Sequence, residues 1–163
     1  DVFTKINLCE WVQNAGLEWV PKTRQHGVDL VLDAPDTAVW IDGDVLLLEE
    51  LLGNLIDNAL KYAQGANNIT LSVGSNPPSL TVRDDGCGID PEDAAQIFDA
   101  FYRSPKAGAT GTGLGLTIVR EITRAHGAWW SLLSRPQIHG TQITVIFPGP
   151  RIGTRLTRSK VDK

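Results

Sequence analysis

Residues 111–127, GTGLGLTIVREITRAHG, set Gly111, Gly113 and Gly115 at the mouth of an amphipathic helix. Glycine is a poor helix former, so its concentration at this point needs a reason. One reason is a plain turn. The other is a loop whose bare backbone brings N–H groups close to phosphate oxygens, at a helix end where donors are unpaired and the dipole is positive. The stretch is not a Walker loop, because no Gly-Lys-Ser/Thr follows, and not a dinucleotide fingerprint, because no strand directly precedes it. Beyond it, Leu116, Ile118, Val119 and Ile122 are apolar positions for a core, and His126-Gly127 supplies a stop.

Working outward, the pattern is helical from Leu8 to about Gln25, with Pro21 as a kink or break. Residues 28–32 (VDLVL) predict a strand, with residues 38–41 (AVWI) as its hairpin partner across a Pro-containing turn. A long helix is expected over 45–63, stopped near Gly65. Residues 69–73 and 80–84 predict a second hairpin around Ser-Asn-Pro-Pro. The region 85–113 is loop-rich, and WWSLL and TQITVIF close the chain as strands, ended by Pro148. This order predicts an α/β two-layer sandwich, a hairpin-fed sheet covered by helices on one face. The expected core is Leu51, Leu55, Ile56, Ala59, Leu116, Ile118, Val119, Ile122, Val145 and Phe147.

The 163 residues suit one domain, with 42% hydrophobic and 21% charged residues, as in a globular protein. No apolar run approaches the roughly 20 residues of a membrane span. The net charge of −4 hides an asymmetry: Arg151, Arg155, Arg158, Lys160 and Lys163 crowd the end, leaving an acidic body. An acidic body argues against nucleic-acid binding. We expect a domain over 1–148 and a basic, disordered tail over 149–163. Cys9 and Cys87 lack CxxC spacing, and His26, His126 and His139 lack metal-ligand spacing. Starting without methionine at Asp1, the chain is expected to be a piece of something longer.

Three further clusters carry chemistry. On the 45–63 helix, Leu52, Leu55, Ile56, Ala59, Leu60 and Ala63 share one face, while Glu50, Asn54, Asp57, Asn58 and Lys61 share the other. Two mid-helix asparagines cost about half a kcal/mol each relative to alanine. Asn54 and Asn58, one turn apart, can present amide oxygens to a cation, and Lys61 can meet an anion, a combination suited to a metal-bound polyphosphate. In RDDGCGIDPED, Asp84, Gly86 and Gly88 form D-x-G-x-G after a strand: either a tight turn, or a carboxylate beside bare backbone against which a flat ligand packs. In IFDAFYR, residues 97–103, Phe98, Phe101 and Tyr102 are core or the anchor of the loop SPKAGAT.

Taken in order, NLIDNALKYA, DDGCGI, IFDAFYR and GTGLGLTIV resemble the N, G1, F and G2 boxes of sensor histidine kinases. The resemblance runs from about Leu8 to Pro148. It implies the gyrase-type (Bergerat) ATP-binding fold, a mixed, mostly antiparallel sheet with helices on one face. It also implies ATP and Mg²⁺ as ligands. By the same resemblance Asn58 is the Mg²⁺ ligand with Asn54 in support, Lys61 reaches the phosphates, and Tyr62 lines the ribose or base. Asp84 takes the adenine amine in a pocket shaped by Gly86, Gly88 and Ile89. The triphosphate is wrapped by Gly111, Thr112, Gly113, Leu114, Gly115 and Leu116, with Arg103 and Lys106 as further phosphate contacts from the lid.

Gyrase-like relatives carry a water-activating glutamate one turn before the metal-binding asparagine. Here that position is Asn54, which has no basicity, so transfer to a protein is expected over hydrolysis. The family's phosphoacceptor histidine precedes an acidic residue and a later Thr-Pro, and none of His26, His126 or His139 does. The resemblance therefore implies, as partners, a separate histidine-containing dimerisation domain of the same parent and, through it, a response regulator. The parent is expected to be anchored in the inner membrane with this domain cytoplasmic and touching no membrane itself. A contact-acting, ATP-binding regulatory module is the alternative. His126 is expected to be structural, Cys87 inert, and the SPKAGAT lid short for the family.

Overall fold

The computed structural model describes residues 2–62, 65–88, 114–135 and 140–149. The chain runs β1 (Thr4–Asn7), α1 (Leu8–Leu17), α2 (Val20–Gln25), β2 (Asp29–Asp33), β3 (Trp40–Gly43) and α3 (Val45–Tyr62). It continues through β4 (Asn68–Ser75), β5 (Pro78–Asp84), α4 (Leu114–Ala125), β6 (Trp129–Arg135) and β7 (Gly140–Ile146). Five strands form one sheet in the order β2-β4-β5-β7-β6, and β1 pairs with β3 apart from it. Only β2 and β4 run parallel; the other pairings of that sheet are antiparallel. The helices cover one face.

The sheet's alternation sets the layers. Ile69, Leu71 and Val73 of β4, Leu80 and Val82 of β5, and Ile143 and Val145 of β7 are buried. The positions between them are Thr, Ser, Gly, Gln and Arg, and Thr81 Oγ1 meets Thr144 Oγ1 at 2.9 Å on that outer face. Over the inner face lies α3, buried through Leu48, Leu51, Leu52, Leu55, Ile56 and Ala59, beside α4, buried through Leu116, Val119 and Ile122. The expected core is thus in place, except that Ile118 is only half-buried.

One expected pairing is corrected. Residues 28–32 and 38–41 do not form a hairpin. β2 pairs with β4 (Leu30 opposite Ile69), and β3 pairs with β1 (Ile41 opposite Ile6). The N-terminal residues capture the second segment. Asn7 Oδ1 accepts from the Val39 N–H at 3.1 Å, and the Leu8 N–H donates to Val39 O at 2.7 Å. Pro21 marks a break, sitting in the first turn of α2 where its missing N–H costs nothing.

Asp44 starts α3, its Oδ1 accepting from the N–H groups of Leu46 (3.0 Å) and Leu47 (3.3 Å). Its own N–H donates to His126 Nε2 at 3.1 Å, while His126 Nδ1 lies 2.9 Å from Ile122 O. The ring is therefore the neutral tautomer with its proton on Nδ1, donating to the Ile122 carbonyl in the last turn of α4, which also accepts from the His126 backbone N–H at 3.1 Å. Buried against Phe3 and edge-on to Phe147, it ties the end of α4 to the start of α3. His126 is structural, as expected.

Removing this ring strands a buried N–H, whereas removing the Asp44 carboxylate exposes helix donors that water can reach. Asp44→Ala is expected to cost about 1 kcal/mol. His126→Ala is expected to cost about 2–4 kcal/mol through the orphaned donor and the cavity. Urea denaturation of both variants checks the order; an equal loss would show that the ring's hydrogen bonds contribute little.

Candidate functional site

On β5 the inward positions are Leu80, Val82 and then Asp84, so the third side chain entering the apolar layer is a carboxylate. It is 6% exposed. Burial pushes its carboxyl above the ordinary aspartate range, and hydrogen bonds from the backbone of Gly86 and Thr141 pull it partly back. The Gly86 N–H reaches Asp84 Oδ1 at 2.9 Å, the turn its Asp-x-Gly spacing favours. A carboxylate kept this deep without a cation among the described residues is a group prepared for a ligand that donates to it.

Asp84 faces a small cleft lined by Leu55, Asn58 and Ala59 of α3, Leu116 of α4, Val82 of β5, and Thr141 and Ile143 of β7. The cleft is apolar but for Asp84, Asn58 and Thr141, the character of a site for a flat, mostly apolar ring with a polar edge. Gly86 and Gly88, which follow Asp84 in the chain, are both buried, and Gly88 has φ 82°, which a side chain would disfavour.

Asn58 was expected on the polar face of α3. It is buried, at 7% exposure, on the seam between Leu55 and Ala59. Its Nδ2 donates to Asn54 O at 2.7 Å, and Asn54 Nδ2 donates to Glu50 O at 2.7 Å. Both amide nitrogens are thus committed to their own helix, and the amide oxygens are the ends with ligand character. Hard divalent cations prefer such oxygen ligands, and Mg²⁺ typically takes one or two from protein and more from phosphate. No group of three or more His, Cys, Asp or Glu that could hold a metal occurs among the described residues. Asp57 is occupied elsewhere, paired with Lys22 at 2.7 Å. Lys61 is half-buried in the last turn of α3, one turn beyond Asn58.

Of the expected site residues, Asn58, Asp84 and Leu116 line the cleft together, Gly86 is bonded to Asp84, and Asn54 and Lys61 share α3 with Asn58. Leu114 and Gly115 open α4. Ile89, Arg103, Lys106, Gly111, Thr112 and Gly113 lie outside the described residues, as does the side chain of Tyr62. Thr141 and Ile143 were not anticipated at the site; the signal was the inward phase of TQITVIF once β7 pairs with β5.

Residues 43–151 match the family described as histidine kinase-, DNA gyrase B- and HSP90-like ATPase. The chain is 32% identical over 154 residues to the sensor histidine kinase WalK of Bacillus subtilis, covering 86% of this chain and 24% of that protein. It is 37% identical over 123 residues to the sensor protein QseC of Salmonella typhi, covering 76% and 27%. It therefore spans about a quarter of the length of these relatives. Among solved structures, the mycobacterial sensor histidine kinase MprB superposes with a TM-score of 0.74 at 27% identity, over 91% of this chain and 98% of that one. The catalytic domain of histidine kinase ThkA gives 0.77 at 24% identity, over 91% and 97%, a likeness of fold. The chain belongs to the histidine kinase-, DNA gyrase B- and HSP90-like ATPase family, as an ATP-binding catalytic domain of the kind found in sensor histidine kinases.

Proposed function

We propose that this domain binds ATP with Mg²⁺ and passes the γ-phosphoryl group to a histidine on a separate dimerisation domain of the same parent protein. A response regulator then receives it. The observation that carries this reading is the buried Asp84 carboxylate, aimed into an apolar cleft that Asn58 also lines. An ionised carboxylate accepts a hydrogen bond from the exocyclic amine of adenine, and a carbonyl in that place would be repelled. Gly86, Gly88 and Ile89 shape the base pocket, with Tyr62 at its ribose side. Asn58, supported by Asn54, gives an amide oxygen to Mg²⁺, which when bound neutralises phosphate charge.

Lys61, Arg103 and Lys106 supply cations to the phosphates. Residues 111–116 supply backbone N–H groups and the start of α4. Asn54 cannot deprotonate water, so the site holds its nucleotide for an imported nucleophile. Residues 1–148 form this catalytic unit, and the basic segment 149–163 stands outside it. No described helix is long and apolar enough to cross a membrane. The rest of the parent carries the acceptor histidine and a membrane anchor, with this domain on the cytoplasmic side.

Calorimetry with a non-hydrolysable ATP analogue tests the ligand. Native protein is expected to saturate, and Asp84→Asn to lose roughly ten- to a hundredfold in affinity, the range of a hydrogen bond to a charged group. Asn58→Ala is expected to lose the Mg²⁺-dependent part of binding alone. With labelled ATP and a cognate histidine domain, label is expected on that domain, with hydrolysis by the isolated chain near background. Binding without transfer would favour a regulatory module that acts by contact.

Acid and heat should separate function from stability at Asp84. Its carboxyl is raised in the folded state, so its contribution to stability is present below the unfolded range and lost as pH rises through the folded value. Nucleotide binding, needing the carboxylate, follows the opposite course. At neutral pH ligand-free Asp84→Asn is expected to melt above native protein, the gap closing toward pH 4; a lower melting temperature would show that the charge is not a burden to the fold.

A further inference from the structure

The residue after Asp84 turns the other way. Asp85 is exposed, and its carboxylate closes onto the start of β4. Its Oδ1 accepts from the N–H groups of Asn67 at 2.7 Å and Asn68 at 2.9 Å, and its Oδ2 accepts from Asn68 Nδ2 at 3.1 Å. The Asp85 N–H donates back to Asn68 O at 3.3 Å, and Asn67 O accepts from Asp29 N–H at 2.9 Å. The peptide carrying the base-reading carboxylate is thereby fastened on one side to β4 and, through it, to β2.

On its other side lies β7, whose first residue is Gly140. A Cβ built at Gly140 would stand 2.0 Å from the Asp84 carbonyl oxygen and 2.9 Å from its carbonyl carbon, and φ is +152°. No side chain fits there without displacing the Asp84–Asp85 backbone, which is itself fastened to β4. The next residue, Thr141, lends its backbone N–H to the Asp84 carboxylate. Close approach of β7, permitted by glycine at 140, is what brings that donor within reach.

We propose that Asp85 and Gly140 are positioning residues for nucleotide recognition, together fixing the backbone from which Asp84 reads the base. This rests on the proposed reading of Asp84 as the adenine acceptor. Neither residue touches the ligand; each acts through Asp84. The clamp needs acceptors at 85, not charge. Asparagine keeps an oxygen for the Asn67 and Asn68 N–H groups, and rotating the Asn68 amide restores the third bond. Alanine keeps none. Charge enters separately: Asp85 is one of the influences, smaller than burial, that raise the Asp84 carboxyl. Partial desolvation would raise the exposed Asp85 carboxyl, but the hydrogen bonds from Asn68 and Asn67 outweigh this and hold it below the ordinary aspartate range.

The test is calorimetric binding of an ATP analogue, and of the matching purine nucleotide lacking the 6-amino group, to native protein, Asp85→Asn, Asp85→Ala, Gly140→Ala and Asp84→Asn between pH 5 and 8. Asp85→Ala and Gly140→Ala are expected to lose roughly tenfold in ATP-analogue affinity, about the effect of one hydrogen bond to a charged group, and to lose preference for the amino-bearing base. Asp85→Asn is expected to bind like native protein at pH 8 and to keep binding to a lower pH. Native affinity and native base preference in Asp85→Ala would overturn the proposal. So would equal losses in Asp85→Asn and Asp85→Ala, or an unmoved pH profile in Asp85→Asn. If alanine variants fail to fold, the Asp85→Asn profile decides alone. Failure of native protein to prefer the amino-bearing base, or an unimpaired Asp84→Asn, would instead sink the reading of Asp84 itself.

Discussion

A carboxylate in an apolar layer is the constraint around which the site is arranged. Asp84 occupies the third inward position of β5 after Leu80 and Val82, where the pleat offers a place for another aliphatic side chain. Keeping a charge there is costly unless donors meet it. The donors are backbone N–H groups: Gly86 from its own turn and Thr141 from the neighbouring strand. Backbone donors have no charge of their own, so they satisfy the oxygens without neutralising them. The carboxyl stays raised and keeps its capacity to accept from a ligand.

The same economy appears on α3. Asn54 and Asn58 are weaker helix formers than the residues around them, and each spends its amide nitrogen on the carbonyl one turn back. That bond removes the donor end and fixes the amide plane, leaving an oxygen where a cation can use it. The helix tolerates two such residues because its stability comes from elsewhere. A broad buried face from Leu48 to Ala59 holds it to the sheet and to α4, and Asp44 and His126 hold its first turn.

How much of this was legible in the sequence differs by kind of signal. Long amphipathic helices and the β4–β5 hairpin were readable because their periodicity and turn residues are local. Strand pairing was not: nothing in VDLVL or AVWI says which strand each will meet, and β1 is too short to announce itself. Asp84 and Asn58 stood out because their residue types are expensive where the pattern places them. Asp85 did not, because an aspartate before glycine is already explained as a turn former. Gly140 was hidden likewise, as a glycine at a strand entrance, until the strand's neighbour showed what a side chain would strike. The buried setting of Asn58 was missed because a helical wheel shows two faces, whereas packing against both a sheet and a second helix buries more than half of the circumference.

The site draws on both ends of the chain's described fold, and this bears on how it can work as a unit. Asn58 comes from α3, Asp84 from β5, Leu116 from α4 and Thr141 from β7. Among the described residues, a hydrogen-bonded tie between α3 and α4 lies at the far end of each helix from the cleft, where His126 accepts from Asp44 N–H and donates to Ile122 O. Asp44 lies nearly four turns before Asn58, and Ile122 nearly two after Leu116. The cleft side of α4 is therefore anchored remotely, by a neutral ring, while Leu116 of its first turn lines the cleft. A helix pinned at its C-terminus and packed along one stripe through Leu116, Val119 and Ile122 keeps its N-terminal turn aligned against the cleft. The polar groups of the cleft, Asp84, Asn58 and Thr141, take no part in that tie.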